Sequence, residues 1–144
     1  STVAVLERFY NIVLTDCGTG LLHSAMRAIL RSADGLVIVS SGSVDGARSA
    51  SATMDWLDAH GYRHLVEQSL TVVNMVRPGS KVIDVSKIVD HFGQRCRAVR
   101  VIPYDDHLAQ GAEVDLDALS PATRTALLET AAAMTAEFPP HVTR

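Results

Sequence analysis

The feature that most constrains this chain is the alternation of two hydrophobic periods. Four short apolar runs recur along it: Ile12-Val13-Leu14, Leu36-Val37-Ile38-Val39, Leu70-Thr71-Val72-Val73-Asn74-Met75-Val76 and Val99-Arg100-Val101-Ile102. They are mostly continuous and β-branched, as strands covered on both faces should be. Around them, apolar residues recur every three or four positions, the spacing of one helix face. Leu22, Met26 and Ile29 form one such set; Ala47, Ala50, Met54 and Leu57 form another. Val82, Val85, Val89 and Phe92 make a third, and Leu127, Ala131, Met134 and Phe138 a fourth. Strand–helix alternation at this spacing implies βαβ crossovers and a parallel sheet. The expectation is a single α/β domain over residues 1–144, three-layered, with a mostly parallel sheet flanked by helices.

Punctuation agrees with this division. Ser120 suits an N-cap, and Pro121 stands where the first helical position should be. Gly61 and Gly93 lie where helices end, as C-cap glycines do. Thr2 to Phe9 reads as a short leading helix. Pro78-Gly79-Ser80 reads as a loop. Pro139-Pro140 stops the last helix and leaves 139–144 as a loose tail.

Composition excludes several classes. A net charge of −3 without a basic cluster gives no footprint for direct nucleic-acid binding. Cys17 and Cys96 form no CxxC pair, which argues against a disulfide scaffold or zinc site and for a reducing cytosol. No apolar run approaches the roughly 20 residues that span a bilayer, and the start lacks a signal-peptide pattern. A cytoplasmic protein without a transmembrane segment is expected.

Candidate chemistry falls after the apolar runs. In Asn11-Ile12-Val13-Leu14-Thr15-Asp16-Cys17-Gly18-Thr19-Gly20, an acid and a glycine-rich loop follow the first run. At the carboxyl end of a parallel strand, such a carboxylate can hold hydrated Mg²⁺, and Gly18 and Gly20 let backbone N–H groups approach a phosphate. A strand followed by an ordinary glycine turn fits the same residues. Asn74 interrupts an apolar strand; near the strand's carboxyl end it can read a purine edge, or it pairs with a loop backbone. Pro103-Tyr104-Asp105-Asp106 follows the fourth run and can border a base or a partner, or form a plain surface turn. Ser40-Ser41-Gly42-Ser43 permits close approach of a ligand or subunit, or supplies Ser43 as a helix cap. His60 and His64 are separated by Gly61 and do not suggest a metal pair. Asp115 and Asp117 read as solvated loop charges, and Cys17 as a small buried side chain.

Taken in order, these strand ends resemble the MinD/ParA branch of P-loop ATPases. The Asp-bearing strand end matches Asn11 to Gly20, although Cys17-Gly18-Thr19 replaces the usual prolines. Ala33-Asp34-Gly35-Leu36-Val37-Ile38-Val39, Val72-Val73-Asn74 and Ile102-Pro103-Tyr104-Asp105 match later elements. The resemblance implies that Asp16 helps hold Mg²⁺ and that Asn74, Pro103, Tyr104 and Asp105 face the adenine of ATP. The Lys-bearing phosphate loop of such ATPases is missing; Gly42-Ser43-Val44-Asp45-Gly46 has no Lys. The chain therefore looks like the C-terminal part of a longer ATPase, inactive alone, lacking the phosphate-loop strand and prone to self-association or to binding a protein partner. It is also similar to actinobacterial proteins linked to type VII (ESX) secretion. A non-catalytic α/β interaction or regulatory domain is the alternative.

Overall fold

The computed structural model describes residues 2–18, 24–77 and 84–136. The chain separates into two compact units, residues 1–32 and 33–144.

The larger unit is built on three parallel strands, β1 (Val37–Ser41), β2 (Leu70–Asn74) and β3 (Ala98–Ile102), in that order across the sheet. They coincide with three of the four apolar runs. Val37, Leu70 and Ala98 lie side by side, as do Ser41, Asn74 and Ile102, so the three carboxyl ends are level. The helices that follow are α3 (Val44–Ala59), α4 (Arg63–Glu67), α5 (Val85–Gly93), α6 (Asp106–Ala109) and α7 (Pro121–Thr135).

Residues that are lateral partners project to the same face of a sheet. On one face, Leu70, Val72 and Ile102 pack with Ala133 of α7, flanked by Leu127 and Met134. The neighbouring residues Ile38, Ser40, Thr71 and Val73 are buried on the opposite face. Ala50, Met54 and Leu57 of α3 and Ile88 and Phe92 of α5 are buried too, as the helical spacing requires. The β1 edge is barer: Val39 is 66% exposed although Val72 beside it is buried.

Caps set the helix starts. Ser43 accepts the Gly46 N–H at 3.1 Å, and Ser120 accepts the Thr123 N–H at 3.2 Å. Gly61 has φ +87° just past α3, the left-handed geometry that ends helices and favours glycine. Gly46 is needed for another reason. A Cβ there would lie 2.8 Å from the Ser41 carbonyl oxygen and 2.9 Å from its nitrogen, so only glycine lets α3 begin so close to the end of β1.

The smaller unit contains α1 (Thr2–Leu6) and α2 (Ser24–Ser32), in which Met26 and Leu30 are buried. Here one expectation fails. Residues 12–14 form no strand, and Leu14 is 74% exposed. Among the described residues, the three strands of the sheet pair only with one another. A strand is stable only when a neighbour takes its backbone N–H and C=O groups, and three apolar residues alone do not bring one.

Smaller corrections follow. Cys17 is exposed, not buried, its Sγ 3.5 Å from the Thr15 carbonyl oxygen within a turn. Asn74 ends β2 and is exposed, so it is not a buried amide. Gly93 is the last residue of α5, with Gln94 as the cap. The inner face of α7 runs through Thr123, Ala126, Leu127, Thr130, Ala133 and Met134, while Ala131 is exposed. The short helices α4 and α6 carry too few turns to show a period. Gly20, Leu22, Val82, Phe138, the Pro78-Gly79-Ser80 loop and the 139–144 tail lie outside the described residues.

Candidate functional site

Level strand ends make the carboxyl edge of the sheet a single shelf. Two backbone bonds extend it: Gly42 N–H donates to the Asn74 carbonyl at 2.8 Å, and Met75 N–H donates to the Ile102 carbonyl at 2.9 Å. The loops after β2 and β3 therefore leave the sheet side by side. Between them lies a cleft of about 240 Å³ whose lining includes Asn74, Met75, Arg77, Tyr104, Asp105 and Leu108.

One wall comes from the residues after β2. Asn74 is exposed at the strand end. Its backbone oxygen accepts the Gly42 N–H, and the residue contributes to the cleft lining. Arg77 crosses to the other wall. Its Nε and Nη2 donate to the Tyr104 hydroxyl at 3.1 and 2.9 Å, and the guanidinium carbon sits 5.6 Å from the Tyr104 ring centroid. Tyr104 in turn donates to Asp106 Oδ1 at 2.9 Å, and Arg77 Nη2 reaches the same oxygen at 3.4 Å. The Tyr104 hydroxyl bond first, then the electrostatic interaction with Tyr104 and with Asp106, raise the Arg77 pKa above its ordinary value.

The other wall is held by Asp105, which is buried. Its two carboxylate oxygens accept different backbone amides: Oδ1 takes His107 N–H and Oδ2 takes Ser120 N–H, each at 2.9 Å. The Ser120 amide is the largest cause of a pKa lowered from 3.8 to about 2; burial opposes it, while the Thr123 hydroxyl and the His107 amide add to it. Asp105 thus caps α6 and at the same time positions Ser120, the cap of α7. Inside the enclosed loop, Asp115 N–H donates to His107 Nε2 at 2.8 Å, and Asp115 caps a 3-10 turn at Leu116–Ala118.

Of the residues singled out in the sequence, Asn74, Tyr104 and Asp105 share this cleft, and half-buried Pro103 leads into it. Ser41 stands level with Asn74, its hydroxyl 2.7 Å from that of Ser43. Asp16 and Gly18 belong to the smaller unit. There Asp16 is exposed, and its Oδ1 accepts the Gly18 N–H at 2.9 Å, with Gly18 at φ +61°. Gly20 is outside the described residues. Sequence reasoning missed Arg77 and Leu108, while Asp106 was part of the Pro103–Asp106 segment it singled out. An arginine three residues beyond Asn74 was the available signal, but only the side-by-side exit of the two loops makes it meet Tyr104.

Away from the cleft, α3 and α5 meet through polar groups. Arg95 pairs with Asp55 at 2.8 Å and with Asp58 at 3.1 Å, and Ser51 Oγ lies 2.8 Å from His91 Nε2. Among the described residues, no group of three or more His, Cys, Asp or Glu side chains could hold a metal ion, and no helix is long and apolar enough to cross a membrane.

No known family model matches the chain, and neither does any solved structure. The chain is 41% identical over 134 residues, 92% of its length, to the ESX-1 secretion-associated protein EspI in two strains of Mycobacterium tuberculosis. It is homologous to that segment of EspI and spans about 20% of the relatives' length.

Proposed function

We propose that this chain is the nucleotide-binding part of a MinD/ParA-like ATPase that serves ESX (type VII) secretion. In the whole protein, ATP binding and hydrolysis would switch self-association or the binding of a protein partner in the cytoplasm. The secretion role rests on the homology to EspI. The nucleotide reading rests on one observation: Asn74 and the Tyr104–Asp105 loop converge on a single cleft at the carboxyl edge of a parallel sheet, where open α/β sheets bind their ligands.

The residues present fit one end of a nucleotide and not the other. A purine suits the cleft, where Asn74 offers a donor and an acceptor side by side. The phosphate end lacks its parts. The chain has no Lys-bearing glycine loop, and no described acidic cluster could hold Mg²⁺. Asp16 is a lone exposed carboxylate, with one oxygen engaged in its own turn. No hydrolytic step follows from these residues, since phosphoryl transfer depends on groups that cradle the β- and γ-phosphates.

The test has two arms. Titration of ADP into the chain should show weak, saturable binding that Asn74→Ala abolishes; binding unchanged by that substitution would refute the cleft. A steady-state phosphate-release assay should show no turnover. Turnover abolished by Asp16→Ala would sink the incomplete-site reading.

A second reading, a non-catalytic interaction domain, is favoured by the β1 edge, where Val37 and Val39 lie on the α7 side of the sheet yet stay exposed among the described residues.

A further inference from the structure

A backbone N–H can only donate, so the group that meets the Asp115 amide must accept. That group is Nε2 of His107, at 2.8 Å. The bond therefore sets the tautomer: the ring is neutral, with its proton on Nδ1. A protonated ring carries N–H at both nitrogens and has nothing to offer this amide. Asp115 matters because it is bonded on both sides. Its N–H reaches back to α6, and its carboxylate accepts the Asp117 N–H at 2.9 Å, which starts the 3-10 turn at Leu116–Ala118. His107 is half-buried and adjoins Leu108, which lines the cleft. The charged side chains on the elements that the bond joins are Asp105 and Asp106 before the ring, and Glu113, Asp115 and Asp117 in the loop and turn. Arg77 reaches Asp106 from the β2 side at 3.4 Å. A second tie does not depend on the ring. Asp105 takes the Ser120 amide, and its pKa of about 2 keeps it ionised over about pH 5–8, where imidazoles ordinarily change charge.

We infer that the His107–Asp115 bond is a proton-operated latch: protonation of His107 releases residues 110–118 from α6, while the Asp105–Ser120 bond keeps the two ends of the loop together. The opening is local for that reason. The inner tie, eight residues long, breaks; the outer one, spanning 15, holds. The helix that carries Leu108 of the cleft lining then loses its contact with the loop behind it. A charge change at one ring is thus converted into the freedom of one loop, which is how histidine switches act elsewhere. The latch does not depend on what the cleft binds.

The experiment titrates the full chain from about pH 8 to about pH 5 and follows it by NMR. The His107 ring Cε1–H signal reports the charge of the ring. The Asp115 amide signal should move with the same midpoint. Its protection against hydrogen exchange, corrected for the intrinsic pH dependence of exchange, should fall about tenfold, the upper end of what one neutral hydrogen bond contributes. The Ser120 amide should stay protected throughout. His107→Gln replaces the ring with a side chain that does not titrate, so its Asp115 amide should not respond to pH in this range. A wild-type Asp115 amide that ignores the His107 titration overturns the latch, and that reading needs no variant to fold. A response that persists in His107→Gln overturns it as well, since another group is then responsible. Loss of Ser120 protection in step with Asp115 would show that the whole loop opens, and the two-tie arrangement would fall.

Discussion

Two aspartates follow apolar, strand-like runs in this chain, and the structure uses them in opposite ways. Asp105 follows β3. It is buried, both of its oxygens accept backbone amides, and its pKa lies at about 2. Asp16 follows residues 12–14, is exposed, and accepts one amide two residues ahead. The two runs look alike in composition. The difference is in what surrounds the chain after it leaves the run. Asp105 enters a loop whose far end, Ser120, returns to it across 15 residues. Asp16 enters a turn that closes on itself. A carboxylate engaged at both oxygens is a structural part; one with an oxygen to spare is available to a ligand.

The strongest way to break this comparison is Asp105→Asn. N-cap preferences treat Asn and Asp as equivalent, so a mere cap would tolerate the change. Here both oxygens are acceptors, and an amide replaces one of them with a donor aimed at a backbone N–H. The buried donor left unsatisfied makes this costly. Asp105→Asn should lower the melting temperature by several degrees, nearly as much as Asp105→Ala, and should loosen α6 and α7 together in hydrogen exchange. A variant that melts like wild type would reduce Asp105 to an ordinary cap.

Acid titration sharpens the same point. The folded pKa is depressed below the ordinary 3.8, so the stabilisation is present above that value and is lost as pH falls toward about 2. The melting gap between wild type and Asp105→Asn should be constant at neutral pH and close between those limits. Asp84 is depressed by its bonds to the Ser86 hydroxyl and amide. It acts in the same direction in both proteins and cancels from the difference. A gap that persists at pH 2 would mean the side chain matters for shape and not for charge.

Ser120→Ala separates the two halves of the relay. It deletes the α7 cap but keeps the backbone N–H that Asp105 receives. The expected loss is about 1 kcal/mol, measured by denaturant unfolding, with the Asp105 titration window retained. Loss of that window would show that the Ser120 hydroxyl, not its amide, governs Asp105.

What could be read in advance follows the range of the forces involved. Strands β1, β2 and β3 were legible because each carries a mostly apolar, β-branched run. The start of α7 was legible because Ser120-Pro121 is a local signal. The cap at Ser43 was one of two readings of its segment, and it is the one the structure shows. The 12–14 run carried the same local signal as β1 and failed, since pairing depends on a neighbour and not on the run. The bonding partners of Asp105 and Arg77 were opaque for a related reason. Those partners, Ser120 and Tyr104, stand 15 and 27 residues away. Only the level strand ends bring Arg77 to Tyr104, and only the returning loop brings Ser120 to Asp105.

The smallest effect is the most telling about Asp16. Its one bond closes an exposed turn, and Gly18 already adopts the left-handed geometry that this turn needs without help from a side chain. Asp16→Ala should therefore change stability by no more than about 0.5 kcal/mol, the usual range for surface positions, and leave hydrogen exchange of residues 33–136 unaltered. A larger loss would mean that Asp16 is structural like Asp105, and the contrast between the two would collapse. A null effect gives the contrast its functional edge. An acid that the fold does not need can be removed to ask about ligands alone. Added Mg²⁺ should then broaden or shift the NMR signals of residues 15–18 in wild type and leave them unchanged in Asp16→Ala. Signals indifferent to Mg²⁺ in both proteins would leave Asp16 a solvated turn acid.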